Sequence, residues 1–167
     1  MLRLLLLRHA KAVGPSADDF ARPVAPQGRD EAVAMSNYLK TELLLPDFVL
    51  ASDAARTRET AELAVTKLDP TPIQYDHALY TGDADVVMDV LRQTAPSVKT
   101  LLVVGHNPTL HDLALALVGY GDRYAAQRMN SDFPTCCLAV LDFDIESWAQ
   151  VAPRGGRLDR FVILKAN

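Results

Sequence analysis

Four residues of this sequence are of types that handle phosphate: Arg8 and His9 side by side, Arg56, and His106. Guanidinium groups are planar forks that match phosphate oxygens, and a neutral imidazole can attack phosphorus as a nucleophile. None of the four is informative alone, because a lone histidine is more often structural or solvent-exposed and an isolated arginine is usually solvated. Their placement joins them: each follows, directly or within a few residues, a short apolar run.

The first run opens the chain in "MLRLLLLRHAKA". A basic residue, leucines and an A-x-A-like ending resemble a cleaved secretory signal, but such signals need an apolar stretch of about 7–15 residues. Leu4 to Leu7 is the whole uninterrupted run. A strand buried on both faces fits it better, with Arg8-His9 at its end. No segment approaches the ~20 apolar residues of a membrane-spanning helix.

"GPSADDFARPVAPQG" reads as a loop, and the spacing of Ala32, Met35, Leu39 and Leu43 predicts a helix from about Gly28 to Leu43. "PDFVLAS" is a second strand, and Ser52 or Asp53 is expected to cap a helix with the stripe Thr57, Ala61, Ala64, Leu68 and with Arg56 in its first turn. "PIQYD" is a weaker strand, and "GDADVVMDVLRQ" a helix opening on acids. "TLLVVG" is a clear strand leading into "HNPTLHDLALALVG", where Pro108 suits a first helical turn. "CCLAVLDFD" and "RLDRFVIL" are two further strands, with a short helix around Trp148 between them.

This alternation predicts one domain over residues 1–167, a three-layer α/β/α sandwich whose mostly parallel sheet carries an antiparallel edge strand. Such sheets bind ligands beyond the carboxyl ends of their strands. Arg8-His9 after the first strand, Arg56 after the second and His106 after the fourth then share one rim. Two cations at a buried strand end are costly unless an anion visits them.

Composition narrows the alternatives. With 49% hydrophobic and 23% charged residues, the 167-residue chain has the makeup of a globular domain. A formal net charge of -4 argues against a general nucleic-acid partner. Cys136 and Cys137 are adjacent, so a disulfide between them would be strained, and a reducing cytoplasm is the expected location. His111 stands at neither i+3 nor i+4 from His106, His77 lies in a polar connector, and neither suggests a metal site. "GYGD" and "PRGGR" do not follow a strand and open a helix as phosphate-cradling loops do. No cofactor, metal or membrane is implied.

"LLLLRHAKA", "SDAARTRETAE" and "LLVVGHNPTL", in that order, resemble the histidine phosphatase superfamily, of phosphoglycerate mutase-like fold. "DDFARPVAPQGRDEA" brings the resemblance closest to the short phosphohistidine phosphatases of the SixA type. The resemblance implies that His9 is the nucleophile, that Arg8, Arg56 and a protonated His106 complete the phosphate pocket, and that Arg22 is an accessory contact. Two features depart from the family pattern. The usual Arg-His-Gly is Arg8-His9-Ala10, which loses the freedom of glycine at positive φ. The acidic proton donor that many members carry after the third strand has no clear counterpart in "ALYTGDADVV". Asp83 or Asp85 is the candidate there, and Asp18 or Asp19 could reach in from the first loop.

The implied activity is a metal-independent phosphohydrolase, working through a covalent phosphohistidine and acting on phosphohistidine in a protein. A small-molecule phosphate monoesterase or mutase is the alternative, and a non-catalytic phosphate-binding module a third. A monomer is expected.

Overall fold

The computed structural model describes residues 1–164. Its strands are β1 (Leu2–Arg8), β2 (Phe48–Ser52), β3 (Ile73–Asp76), β4 (Thr100–Gly105), β5 (Val118–Gly121), β6 (Leu138–Phe143) and β7 (Gly156–Val162). They form one sheet in the order β3-β2-β4-β1-β6-β7-β5. Its helices are α1 (Pro26–Thr41), α2 (Ala55–Ala64), α3 (Ala78–Thr81), α4 (Ala84–Arg92), α5 (Thr109–Leu117) and α6 (Arg123–Ser131), with a 3-10 turn at Trp148–Gln150.

The leucine run becomes the centre of the molecule because it is apolar on both faces. Leu4 and Leu6 pack with Met88 and Leu91 of α4, Leu110 and Leu113 of α5 and Met129 of α6. Leu5 and Leu7 point the other way, to Ala32, Met35 and Leu39 of α1 and Ala61 and Ala64 of α2. A period-two strand with no polar face therefore holds a helical layer on each side.

β1, β2, β3 and β4 are mutually parallel, and β5 runs parallel to β7. The expected antiparallel strand is β6, and it lies inside the sheet between β1 and β7. β6 and β7 are joined by the loop bearing the 3-10 turn, with no helix crossing a face, so the pair must be antiparallel. β5 then occupies the edge. Arg3 and Asp142 face each other across β1 and β6, and Asp142, 2% exposed, accepts from both Arg3 and Arg157.

Several local expectations need revision. α1 begins two residues before Gly28, and α2 ends at Ala64, leaving Leu68 outside it. The N-cap of α2 is Ala54, without a side-chain cap, and neither Ser52 nor Asp53 fills that role. β5, α3 and α6 were not anticipated; "GYGD" supplies part of β5 and, through Asp122, the N-cap of α6. Cys136 and Cys137 are free, buried thiols.

Gly28 is a position where only glycine fits. A Cβ there would run into the Lys11 carbonyl oxygen and come within 2.8 Å of Val24 Cγ1. α1 thus presses against the chain two residues beyond His9. Among the described residues no helix is long and apolar enough to cross a membrane.

Candidate active site

Sheet register brings the phosphate-handling residues together. Arg8 pairs with Gly105 across β1 and β4, and the His9 N–H donates to the Gly105 carbonyl at 3.0 Å. His9 and His106 therefore leave adjacent strands side by side, with ring centroids 5.5 Å apart. Ala51 of β2 pairs with Val104, so Ser52 stands level with Gly105 and α2 starts at the same rim, carrying Arg56. The Ala10 N–H donates to Thr60 Oγ1, which itself donates to the Arg56 carbonyl, tying the turn after His9 to α2.

Ala10 causes no strain. It is absent from the few non-glycine residues with positive φ, and its carbonyl lies 2.8 Å from His9 Nδ1. A carbonyl only accepts, so Nδ1 carries the proton and donates, leaving the Nε2 lone pair available. Burial, against the Ala10 hydrogen bond and reinforced by Arg8, Arg56 and Arg22, lowers the His9 pKa to about 4. The imidazole is neutral at physiological pH.

His106 is neutral as well, and this corrects the expectation of a protonated ring. Burial first, then the charge of Arg56 and the neighbouring His9, lower its pKa to about 3. Its Nε2 lies 2.8 Å from Ser52 Oγ. Ser52 Oγ already accepts the Ala54 N–H at 3.3 Å, which leaves its hydroxyl hydrogen to donate to Nε2. The proton of His106 consequently sits on Nδ1.

That Nδ1 is buried with no hydrogen-bond partner, and so are Nε of Arg8 and Nε of Arg56. Each guanidinium is anchored through another nitrogen: Arg8 Nη1 donates to the Phe133 carbonyl, and Arg56 Nη1 to the Asp19 carbonyl. Buried donors are almost always satisfied, so three orphans, from the ends of β1 and β4 and the first turn of α2, make this rim a candidate place for an anion.

The remaining sequence candidates separate cleanly. Asp83 caps α4 by accepting the Val86 N–H, and Asp85 is an exposed residue of that helix's first turn; neither bonds to the four clamp residues. Asp18 accepts the Ala21 N–H within its own loop. The carboxylate that does reach the clamp is Asp19, which accepts from Arg56 Nη2 at 3.1 Å, Tyr80 Oη at 2.8 Å and Arg22 Nε at 3.0 Å. The Tyr80 hydrogen bond, followed by those of Arg56 and Arg22 and opposed by burial, lowers its pKa to about 2. Arg22 also donates to the Val13 carbonyl and so braces this loop.

Sequence reasoning missed the contacts of Ser52 with His106 and of Tyr80 with Asp19. The signal available for Tyr80 was position, since it follows the carboxyl end of β3 as Arg56 follows that of β2. His77 pairs with Asp53 at 3.0 Å on the same rim. His111 donates from Nε2 to the Met129 carbonyl, a structural tie between α5 and α6.

Comparison with known proteins identifies the family. The sequence profile of the histidine phosphatase superfamily (branch 1) matches residues 4–84. Phosphohistidine phosphatase SixA of Escherichia coli is 30% identical over 122 residues, 71% of each chain. A Nakamurella multipartitia structure described as a SixA phosphohistidine phosphatase superposes with a TM-score of 0.87 at 29% identity, covering 99% of this chain and 97% of that one. A protein histidine phosphatase SixA complexed with tungstate superposes with a TM-score of 0.78 at 25% identity, covering 96% of each chain. Motifs, register and kinship converge: the chain belongs to the histidine phosphatase superfamily, as a phosphatase of the SixA type.

Proposed function

We propose that the protein removes the phosphoryl group from phosphohistidine in a protein substrate, without a metal ion, through a phosphorylated His9. The observation that carries this reading is the set of three orphaned nitrogens, Arg8 Nε, Arg56 Nε and His106 Nδ1, beside the open lone pair of His9. In the first step His9 Nε2 bonds to phosphorus as the P–N bond breaks, and the substrate ring, protonated from solvent on its distal nitrogen, leaves with that electron pair as neutral imidazole. The Nδ1–H bond to Ala10 steadies the positive charge that forms on the ring. Arg8 and Arg56 neutralise the phosphoryl oxygens, while His106 contributes a neutral N–H. In the second step water attacks phosphorus, His9 Nε2 departs with its electron pair, and phosphate is released.

The state of Asp19 supports the choice of substrate. Expelling an alkoxide demands a proton donor, but the acid at the clamp is ionised by its three hydrogen bonds. A phosphohistidine ring that has taken up a proton from solvent on its other nitrogen, which an imidazole does near pH ~6.5, departs as neutral imidazole and needs no donor at the bridging nitrogen. Two arginines supply the charge neutralisation that Mg²⁺ performs in other phosphoryl-transfer sites. A protein histidine phosphatase SixA that superposes on this chain is complexed with tungstate, a tetrahedral oxyanion, which supports an oxyanion ligand here.

The test compares kcat/KM for a phosphohistidine protein with that for alkyl and aryl phosphate monoesters, before and after exhaustive chelation. Preference for the phosphohistidine protein, undiminished by chelation, is expected. Preference for an alkyl phosphate, or activity that returns only with a divalent ion, overturns the proposal.

A further inference from the structure

Beside the phosphate clamp stands a wall of rings that the mechanism above does not use. Tyr80 of α3 packs edge-on to His106, with centroids 5.5 Å apart. Phe20, from the loop after β1, lies 5.1 Å from Tyr80 and 5.7 Å from His77, and His77 lies 5.6 Å from Tyr80. The rings thus form a continuous path from a clamp residue outward to the surface. Buried aromatics would need no further explanation, but Phe20 is 37% exposed and the His77 side chain 60% exposed.

The wall is also fixed in place from three sides. The Phe20 carbonyl accepts the Ala55 N–H at the start of α2, Asp53 holds His77, and Asp19 joins Tyr80 Oη to Arg56. Rigid, partly exposed rings at the mouth of an anion site offer faces and edges to whatever the phosphoryl group is attached to. Edge-to-face or offset stacking favours a flat ring there over an alkyl chain.

We infer that Phe20, His77 and Tyr80 form the leaving-group subsite and select a planar aromatic group bonded to phosphorus, such as the imidazole of a phosphohistidine. This rests on the phosphatase reading and names the feature that would choose among its substrates. An aromatic group on phosphorus would lie against Tyr80 and Phe20, while the phosphoryl oxygens engage Arg8, Arg56 and His106.

Phenylphosphonate and methylphosphonate separate this claim from leaving-group chemistry, because neither turns over. Each is measured as a competitive inhibitor of phosphate release, with tungstate as a reference for the clamp. One aromatic contact corresponds to a factor of about 2–10 in affinity, so phenylphosphonate should bind tighter than methylphosphonate by about that factor. Phe20→Ala and Tyr80→Leu should bring the ratio of the two inhibition constants close to one, and Tyr80→Phe should keep it. A variant that merely loosens the loop weakens both phosphonates and tungstate together and leaves the ratio intact, which overturns the subsite. Equal inhibition by the two phosphonates in the wild type also overturns it, with the clamp reading standing. If tungstate and both phosphonates fail to inhibit, the clamp reading itself falls.

Discussion

Ser52→Ala is the sharpest probe of how the clamp is set, because Ser52 is fully buried and acts through His106. Its hydroxyl donates to His106 Nε2 across 54 residues of sequence and thereby keeps the other ring nitrogen protonated. A hydrogen bond of this kind contributes about 1–1.5 kcal/mol, so its loss shifts the balance between the two ring tautomers by about tenfold. Complete loss of one donor to a developing anion costs about 10²–10³ in rate. Partial loss through a redistributed proton should therefore lower kcat/KM by ~10- to 100-fold. Tungstate inhibition should weaken in parallel. The Ala54 N–H also loses its acceptor, so a small fall in Tm, about 2–4 °C per kcal/mol for a chain of this size, is expected. ¹⁵N NMR of the imidazole reads the mechanism directly: Nδ1 protonated and Nε2 bare in the wild type, a mixture in the variant. Wild-type protein with Nε2 protonated, or a variant within twofold of full activity, refutes the reasoning.

Three other perturbations follow from the geometry. His9→Ala should abolish turnover with Tm nearly unchanged, and rapid quenching with labelled substrate should trap an acid-labile, base-stable phosphoenzyme in the wild type alone; full activity in the variant ends the proposal for His9. His9 and His106 are depressed to about 4 and about 3, so the unfolded chain takes up protons below pH ~6.5 that the folded one refuses. Stability of the ligand-free protein should therefore fall as pH drops from about 6.5 toward 3, and chemical denaturation at stepped pH measures it; a rise over that range contradicts the assignment. Gly28→Ala should destabilise by about 1–3 kcal/mol, read by urea unfolding, because the new methyl meets the Lys11 backbone.

What the sequence revealed was whatever depends on local pattern. Four leucines mark β1, the helical stripe places α5, and strand ends single out Arg8, His9 and His106 before any coordinates. The rest is decided by partners far along the chain. Ser52 precedes a helix and looks like its cap, yet its contact with a strand end 54 residues away fixes its role. Asp19 and Asp83 are indistinguishable as loop acids; bonds spanning 37 and 61 residues bring the first to the clamp, whereas the second caps its own helix. β5 is four residues with two glycines, and only pairing with β7 makes it a strand.

The two cysteines have a bearing on where such a phosphatase keeps working. The Cys136 N–H bonds to the carbonyls of both Arg8 and His9, and its backbone is left-handed at φ 58°. The backbone of Cys136 is thus tied to the strand end that carries His9; both thiols are buried, and burial pushes Cys136 up to about 12 and Cys137 higher still. Peroxide attacks thiolates, and these sulfurs stay protonated and shielded. Phosphatases that attack through a low-pKa cysteine are silenced by oxidants. With the proposed nucleophile an imidazole and the neighbouring thiols protonated and buried, this site offers peroxide no thiolate to attack.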